Sequence, residues 1–469
     1  MLGKFVSLIL NKDRPMSKTI MIGCDLHDRS MLVRFAVGDS EPQQKSFAND
    51  APGRARMIQT FQQLAKTQRC SRIVFVYEAS GQGYGLSDQL HDAGIECYVL
   101  SPALLPTTVR SKKLKTDAKD AQMLLEQVRG FVLAGNPLPV VWTPPQRLRD
   151  DRELVRCRID TADNTTAVKL QIFSMLKRRG IEKPPWFCNN SWSKAWVAWL
   201  KDVAATLDDY VGPVLASYVA RFELYRDELT RLDREIRRLS RTPRYRAAHD
   251  ELRKMRGVGL LTAMTFLTEM GDLARFENRR QIGAYLGLCP ASFESGEKNN
   301  RKGRITRQGP PRLRRMLCQA VWSALRTDPE ITQSWKRLHR GKADRRKKAV
   351  VALMRQLGIR MWHRALACGV SPELIGHGPG GHRTSAQAQQ RGAVPFVSPK
   401  RITNITKHHS HTGGDQSHRE SLDTMEFSSA APTDSGSRLP IRWEPQGHPS
   451  RRLIRSQIHH PGLPSERVA

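Results

Sequence analysis

The sequence predicts an N-terminal α/β layer followed by a helical body, and three observations carry that expectation. Two apolar runs, TIMIGCDLH and MLVRFAVGD, flank a short polar turn. Apolar runs then alternate with amphipathic stretches as far as Leu133, and between 215 and 239 apolar residues fall at helical spacing. The opening pair reads as a hairpin. A third strand is expected at Gln44–Ala48 and a helix from Ala51 to Thr67. RIVFVYEAS is almost continuously apolar, as in a strand covered on both faces. GYGLSDQLHDAG reads as a helix ending at Gly94, IECYVLSP as a strand and DAKDAQMLLEQVRG as a helix.

An antiparallel hairpin leading into alternating helices and strands describes a ribonuclease-H-like layer. No dinucleotide-binding glycine fingerprint follows the first strand. Beyond it, Leu215, Tyr218, Phe222, Tyr225, Leu229, Leu232, Ile236 and Leu239 repeat at intervals of three and four, a heptad seam within charged surroundings. Such a helix either lies on its own domain or forms a coiled coil, as an antiparallel arm or as a dimer contact. The expected organisation is an extension over 1–17, an α/β domain over 18–146 and a helical region over 147–250 with the seam at 213–240. A basic, mostly α-helical domain over 251–375 and a disordered tail over 376–469 follow.

Charge narrows the partner. The 469 residues carry 77 Lys+Arg against 45 Asp+Glu, a formal net charge of +32, which points to a polyanion and usually to nucleic acid. The tail holds 12 basic and 7 acidic residues, so most of the excess belongs to the body. Between Gly296 and Lys348 alone stand 17 Lys+Arg and 4 Asp+Glu. The eight cysteines are scattered singly, against a zinc site or a disulfide framework and in keeping with a reducing cytosol. The apolar stretch in MLGKFVSLILNKDRP is too short for a signal peptide, and no run reaches the ~20 residues of a membrane helix, so a cytoplasmic protein without membrane contact is expected.

Four carboxylates stand out by position. Asp25 interrupts the apolar first strand, Glu78 ends RIVFVYE, and Asp117 and Asp120 open a helix three residues apart, on one face. Alone, the last pair reads as a helix-dipole complement, and an acid in a strand as an edge-exposed group. Together, two central strands each broken by an acid imply a shared counter-ion, and four carboxylates in a cleft suit Mg²⁺, one or two ions. Lys112, Lys113, Lys115 and Lys119 lie around the last pair.

In the basic domain, KMRGVGLLTAM is either a helix-packing turn or a turn whose Gly257 and Gly259 bring backbone N–H groups to a phosphate. Then comes YLGLCPASFESGEKNNRKGRITRQGPPRLRRML, with Ser295 before Gly296 and no histidine to act as a local base. A serine beside glycine is ordinarily a turn.

With these motifs in order, Ile20–Ala367 resembles the insertion-sequence transposases that pair a RuvC-like DEDD domain with a C-terminal serine-bearing domain, the bridge-RNA-guided recombinases. The resemblance rests on the Asp25 strand, YEAS, KTDAKDA, RGVG and LGLCP…SG…GRITRQG…LRR. It implies Asp25, Glu78, Asp117 and Asp120 as ligands of Mg²⁺, and Ser295, or else Ser292, as nucleophile. It further implies DNA and a guide RNA as partners. Arg301, Lys302, Arg304, Arg307, Arg314 and Arg315 of the basic run are expected to contact nucleic acid, and strand exchange, which needs several sites together, leads to an expected dimer or tetramer with the heptad helix as candidate contact. A junction nuclease using water, with Ser295 structural, and a non-catalytic nucleic-acid scaffold are the rival readings.

Overall fold

The computed structural model describes residues 18–106, 116–184, 192–293 and 301–376. The expected extension over 1–17 and the tail from 377 onward lie outside them.

β1 (Thr19–Leu26) and β2 (Ser30–Val37) form the expected hairpin, and β3 (Gln43–Ala48) extends it. α1 (Ala51–Thr67) begins where the Asp50 carboxylate accepts from the Gly53 N–H at 2.7 Å. β4 (Arg72–Glu78), α2 (Gly85–Asp92), β5 (Glu96–Leu100) and α3 (Asp117–Ala134) follow. The sheet order is β3-β2-β1-β4-β5, with β1 antiparallel to β2 but parallel to β4, and β5 parallel to β4. This mixed five-stranded layer is the one expected from the order of elements.

Side-chain alternation along the strands then assigns the two faces. Cys24, Phe75 and Tyr77 pack on Met57 and Phe61 of α1 and on Leu86 and Leu90 of α2. Met21, Val74 and Val76 pack on Leu124, Leu125 and Val128 of α3. Gly23 shares that second face, and a Cβ there would overlap the Leu125 backbone nitrogen and lie 2.7 Å from the Ala121 carbonyl oxygen. Glycine in β1 therefore lets α3 lie directly on the strand.

The remainder is helical apart from one hairpin. α4 (Gln146–Arg178), α5 (Lys194–Thr206) and α6 (Gly212–Ser240) are followed by α7 (Pro243–Arg253), α8 (Leu260–Met270) and α9 (Arg279–Tyr285). Next come β6 (Pro290–Phe293), β7 (Arg301–Ile305), α10 (Pro311–Thr327), α11 (Pro329–His339) and α12 (Ala343–Ala367). α4 and α6 run antiparallel: Arg158 near the start of α4 pairs with Asp233 late in α6 at 2.8 Å, while Lys169 lies over the ring of Phe222, nearer the start of α6.

The heptad seam is filled within the chain. Leu215 and Phe222 are buried with Ile172, Leu176 and Leu200 of α4 and α5, and Ile236 and Leu239 with Val155 and Ile159. Of the two expected arrangements, the buried members of the seam form the intramolecular antiparallel arm, so those side chains already have partners within the chain. Periodicity shows that a stripe is buried but not which chain buries it. The ends of the arm also enter the C-terminal core with Phe266, Leu286, Leu317 and Met361, so the region expected over 147–250 is shared between two packing units.

Candidate active site at the carboxyl edge of the sheet

Cys24 pairs with Tyr77 in the parallel register, so Asp25 and Glu78 close the neighbouring strands β1 and β4 at their carboxyl ends. Their parity with Gly23 and Val76 puts both on the face covered by α3. On that helix the buried stripe Ala121, Leu124, Leu125 and Val128 continues toward the N-terminus through Asp117 and Asp120, four residues before Ala121 and Leu124. Thr116 is the N-cap without a side-chain hydrogen bond, and the two acids occupy the first turn, where the helix dipole favours negative charge.

The structure brings together Asp25, Asp117 and a residue that the sequence reading passed over, His27. Its Nε2 lies 3.2 Å from Asp25 Oδ2 and 3.3 Å from Asp117 Oδ2, and the three donor atoms fall within 4.8 Å of one another. Asp25 is the inner member, its side chain 19% exposed against 63% for Asp117. Glu78 and Asp120 do not belong to this trio, and each has interactions of its own. The signal for His27 was available: two residues beyond Asp25 at a strand end, period-2 alternation returns it to the same side.

A cleft of about 690 Å³ opens beside the trio, lined by Leu26, His27, Asp28, Ser80, Gly81 and Gln82. Gln82 Nε2 donates to Asp28 Oδ1 across it, tying the β1–β2 turn to the loop after β4. On the opposite face, burial and then the Asp25 carboxylate hold the Cys24 thiol far above its ordinary range. Cys97 is pushed up to about 12 by burial. Both lie in the apolar core on the α1–α2 side of the sheet, away from the carboxylates. Converging carboxylate oxygens fit a hard divalent cation, while the imidazole nitrogen between them is a donor that softer metals prefer.

The second motif is organised differently. Ser295 lies outside the described residues, as do Lys112, Lys113 and Lys115, whereas Lys119 is exposed on α3. The hairpin β6–β7 that brackets Ser295 pairs Ser292 with Lys302 and Phe293 with Arg301. Its base is an interlock of two backbones. Gly287 (φ +64°) and Gly309 (φ +79°) both have left-handed φ, and a Cβ on either would overlap a carbonyl oxygen, of Gln308 and Tyr285 respectively. Arg314 pins the same crossing by donating to the carbonyls of Gln308 at 2.9 Å, Gly309 at 3.0 Å and Leu286 at 3.3 Å.

These contacts give some of the expected nucleic-acid residues partners within the chain. Arg314 is spent on the loop carbonyls, and burial with the nearby Arg307 pulls its pKa down. Arg315 pairs with both oxygens of Asp163 at 2.7 and 2.8 Å, beside an Arg312–Asp160 pair at 2.8 Å, so it ties α10 to α4. Gly257 (φ +82°) would, with a Cβ, overlap the Ala320 carbonyl oxygen, which makes it a packing turn against α10. Gly259 caps α8. Arg304 and Arg307 remain exposed.

A mixed sheet of this order, with acids closing its first and fourth strands, is consistent with the RuvC-like DEDD class. Comparison with known proteins carries this further. The profile of a DEDD transposase domain of the IS110 type matches residues 22–180, and that of the transposase IS116/IS110/IS902 family matches 249–336. By both regions, just over half of its residues, the chain belongs to the IS110/IS116 transposase family. It is 31% identical to transposase y4qE of Sinorhizobium fredii over 264 residues, 55% of this chain and 60% of that one. It is 24% identical to the transposase for insertion sequence element IS1533 of Leptospira borgpetersenii, over 66% of this chain and 86% of the relative. The corresponding figures for the IS1328 transposase of Yersinia enterocolitica are 25%, 65% and 84%. The DEDD domain carries an implication of divalent-metal dependence, which the carboxylate donors fit. Among the described residues no helix is long and apolar enough to cross a membrane.

Proposed function

We propose that this chain cuts and rejoins DNA strands during movement of an insertion sequence, using Mg²⁺ held at the sheet edge and a serine nucleophile from the β6–β7 hairpin. The observation that carries the reading is the meeting of Asp25 and Asp117 from separate elements at the carboxyl ends of parallel strands. Such edges are where open α/β sheets bind ligands. Asp25 and Asp117 would hold the ion, and Glu78 and Asp120 would complete the ligand set. When bound, the metal supplies a Lewis acid for phosphoryl transfer.

The Ser295 hydroxyl attacks the phosphorus of a DNA phosphodiester and gives its proton to a nearby base. The P–O bond to one sugar breaks, and that sugar oxygen leaves as a hydroxyl. The phosphoserine link conserves the bond energy, so a sugar hydroxyl from the partner strand displaces the serine without ATP. Strand exchange of this kind needs several sites at once, so the protein works as a dimer or tetramer. A structured guide RNA supplies the base pairing for which the chain shows no reading motif.

The test incubates the full chain with labelled DNA, Mg²⁺ and co-purifying RNA, and seeks a denaturation-resistant adduct. Asp25→Ala and Asp117→Ala are expected to abolish cleavage and adduct, and Ser295→Ala to abolish both as well. Cleavage that survives Ser295→Ala means a water-using nuclease. Cleavage that survives Asp25→Ala removes the carboxylate site.

A further inference from the structure

The arginines of this chain divide into two populations. Many are neutralised internally: on α6 and α7, Arg231 pairs with Glu228 at 2.6 Å, Arg238 with Glu235 at 2.5 Å and Arg244 with Asp151 at 2.8 Å. The neighbouring Lys254 pairs with Glu251 at 2.6 Å. Along α4, Arg156 meets Glu269 and Arg158 meets Asp233, both at 2.8 Å.

Four others are treated differently. Arg237 and Arg241, four residues apart, share one face of the last turns of α6, and Arg246 and Arg253, seven apart, share one face of α7. The elbow between the two helices turns these faces into a common cavity of about 470 Å³, floored by the start of α8. Among the described residues none of the four is in an ion pair. The one acid in the cavity, Asp250, is engaged by His249 Nδ1 at 2.9 Å. His249 Nε2 is buried and has no hydrogen-bond partner among the described residues.

The start of α8 reinforces the same sign. Its N-cap is Gly259, with no side-chain hydrogen bond and no acid in the first turn, and an Arg253 guanidinium nitrogen lies 3.6 Å from where a Cβ on Gly259 would be. Converging like charges repel, and a concave wall concentrates their field. Arg231 and Arg238, by contrast, each meet a carboxylate three residues earlier on the same helix. A cavity lined by four arginines that form no ion pair among the described residues, whose one carboxylate is already engaged by His249 and whose floor is a helix N-terminus, is complementary to an anion outside the chain.

We infer that the α6–α7 elbow is a second nucleic-acid site, remote in sequence from both catalytic motifs, in which Arg237, Arg241, Arg246 and Arg253 grip backbone phosphodiesters. The choice of a nucleic acid over another polyanion rests on the transposase reading above. The shared chemistry is the phosphodiester, which DNA and guide RNA both present, and the assay separates the two.

The full chain is titrated with a duplex DNA of random sequence and, separately, with a stem-loop RNA, and affinity is followed against salt. Arg241→Gln with Arg246→Gln is expected to weaken binding about tenfold. The slope of log affinity on log salt becomes shallower by roughly 0.9 per arginine on duplex DNA, and becomes shallower on the stem-loop RNA if the elbow grips it. Arg238→Gln, removing a paired arginine of the same helix, leaves the slope alone, and the double lysine variant at 241 and 246 largely restores it. A slope lowered for only one polymer assigns the elbow to that polymer. Wild-type slope and affinity in the glutamine variant on both polymers, or a wild-type chain that binds neither, overturns the inference. Mg²⁺-dependent cleavage in the same samples keeps the two readings apart. Cleavage with unchanged slopes leaves the transposase without this site, and lowered slopes without cleavage leave the site without the transposase chemistry.

Discussion

The sheet edge and the hairpin base solve one problem, the placement of reactive groups, by opposite means. At the sheet edge, regular elements do the placing: strand alternation turns Asp25 and Glu78 to the α3 face, and the first turn of α3 carries Asp120 and brings Asp117 to Asp25 and His27. The single irregular requirement is Gly23, which lets α3 touch β1. At the hairpin base nothing is periodic. Two left-handed glycines cross backbones, and an arginine from α10 satisfies the carbonyls left at the crossing. A site built on periodic elements tolerates change at most positions and fails at one contact. A site built on a crossing loop depends on each residue of that crossing.

Three substitutions sharpen this contrast. The largest effect is expected from Gly309→Ala, which meets both a left-handed φ and the Tyr285 carbonyl, for about 3 kcal/mol of destabilisation. The serine adduct is then lost while divalent-ion binding at the sheet edge persists. Retained adduct formation in the labelled-DNA assay would show that the crossing does not position the hairpin.

Gly23→Ala comes next, at about 2 kcal/mol, because the neighbours of the added methyl are helix backbone and cannot rotate away. Here ion affinity, read by calorimetric titration with Mn²⁺, is expected to fall about tenfold, a loss of about 1.4 kcal/mol. Unchanged affinity with lowered stability would separate the seating of α3 from the metal site. The smallest effect belongs to Arg315→Ala. An exposed pair with Asp163 is worth about 0.2–1 kcal/mol, and the salt slope of DNA binding should not move. A slope lowered by roughly 0.9 would return Arg315 to the phosphate contacts.

Sequence legibility follows the same division. Asp25, Glu78, Asp117 and Asp120 could be picked out because each breaks or ends a periodic pattern. His27 was as legible by its spacing but resembled an ordinary turn residue. The heptad seam from Leu215 to Leu239 was readable as buried, but its partner was not, since α4 and a partner copy would satisfy one stripe equally well. Arg314 and Arg315 stand in one basic run with Arg312, and composition gave all three the same appearance.

What the sequence determined by itself was the α/β layer, the succession of its elements along the chain, the acids at strand and helix ends and the excess of positive charge, all properties of local pattern and composition. Tertiary structure alone decided which arginines meet carboxylates and which are left facing a cavity. It also decided that His27 joins Asp25 and Asp117, and that Gly257 serves packing. The physical reason is that pairing and overlap depend on distances between segments far apart in the chain, which no local period encodes.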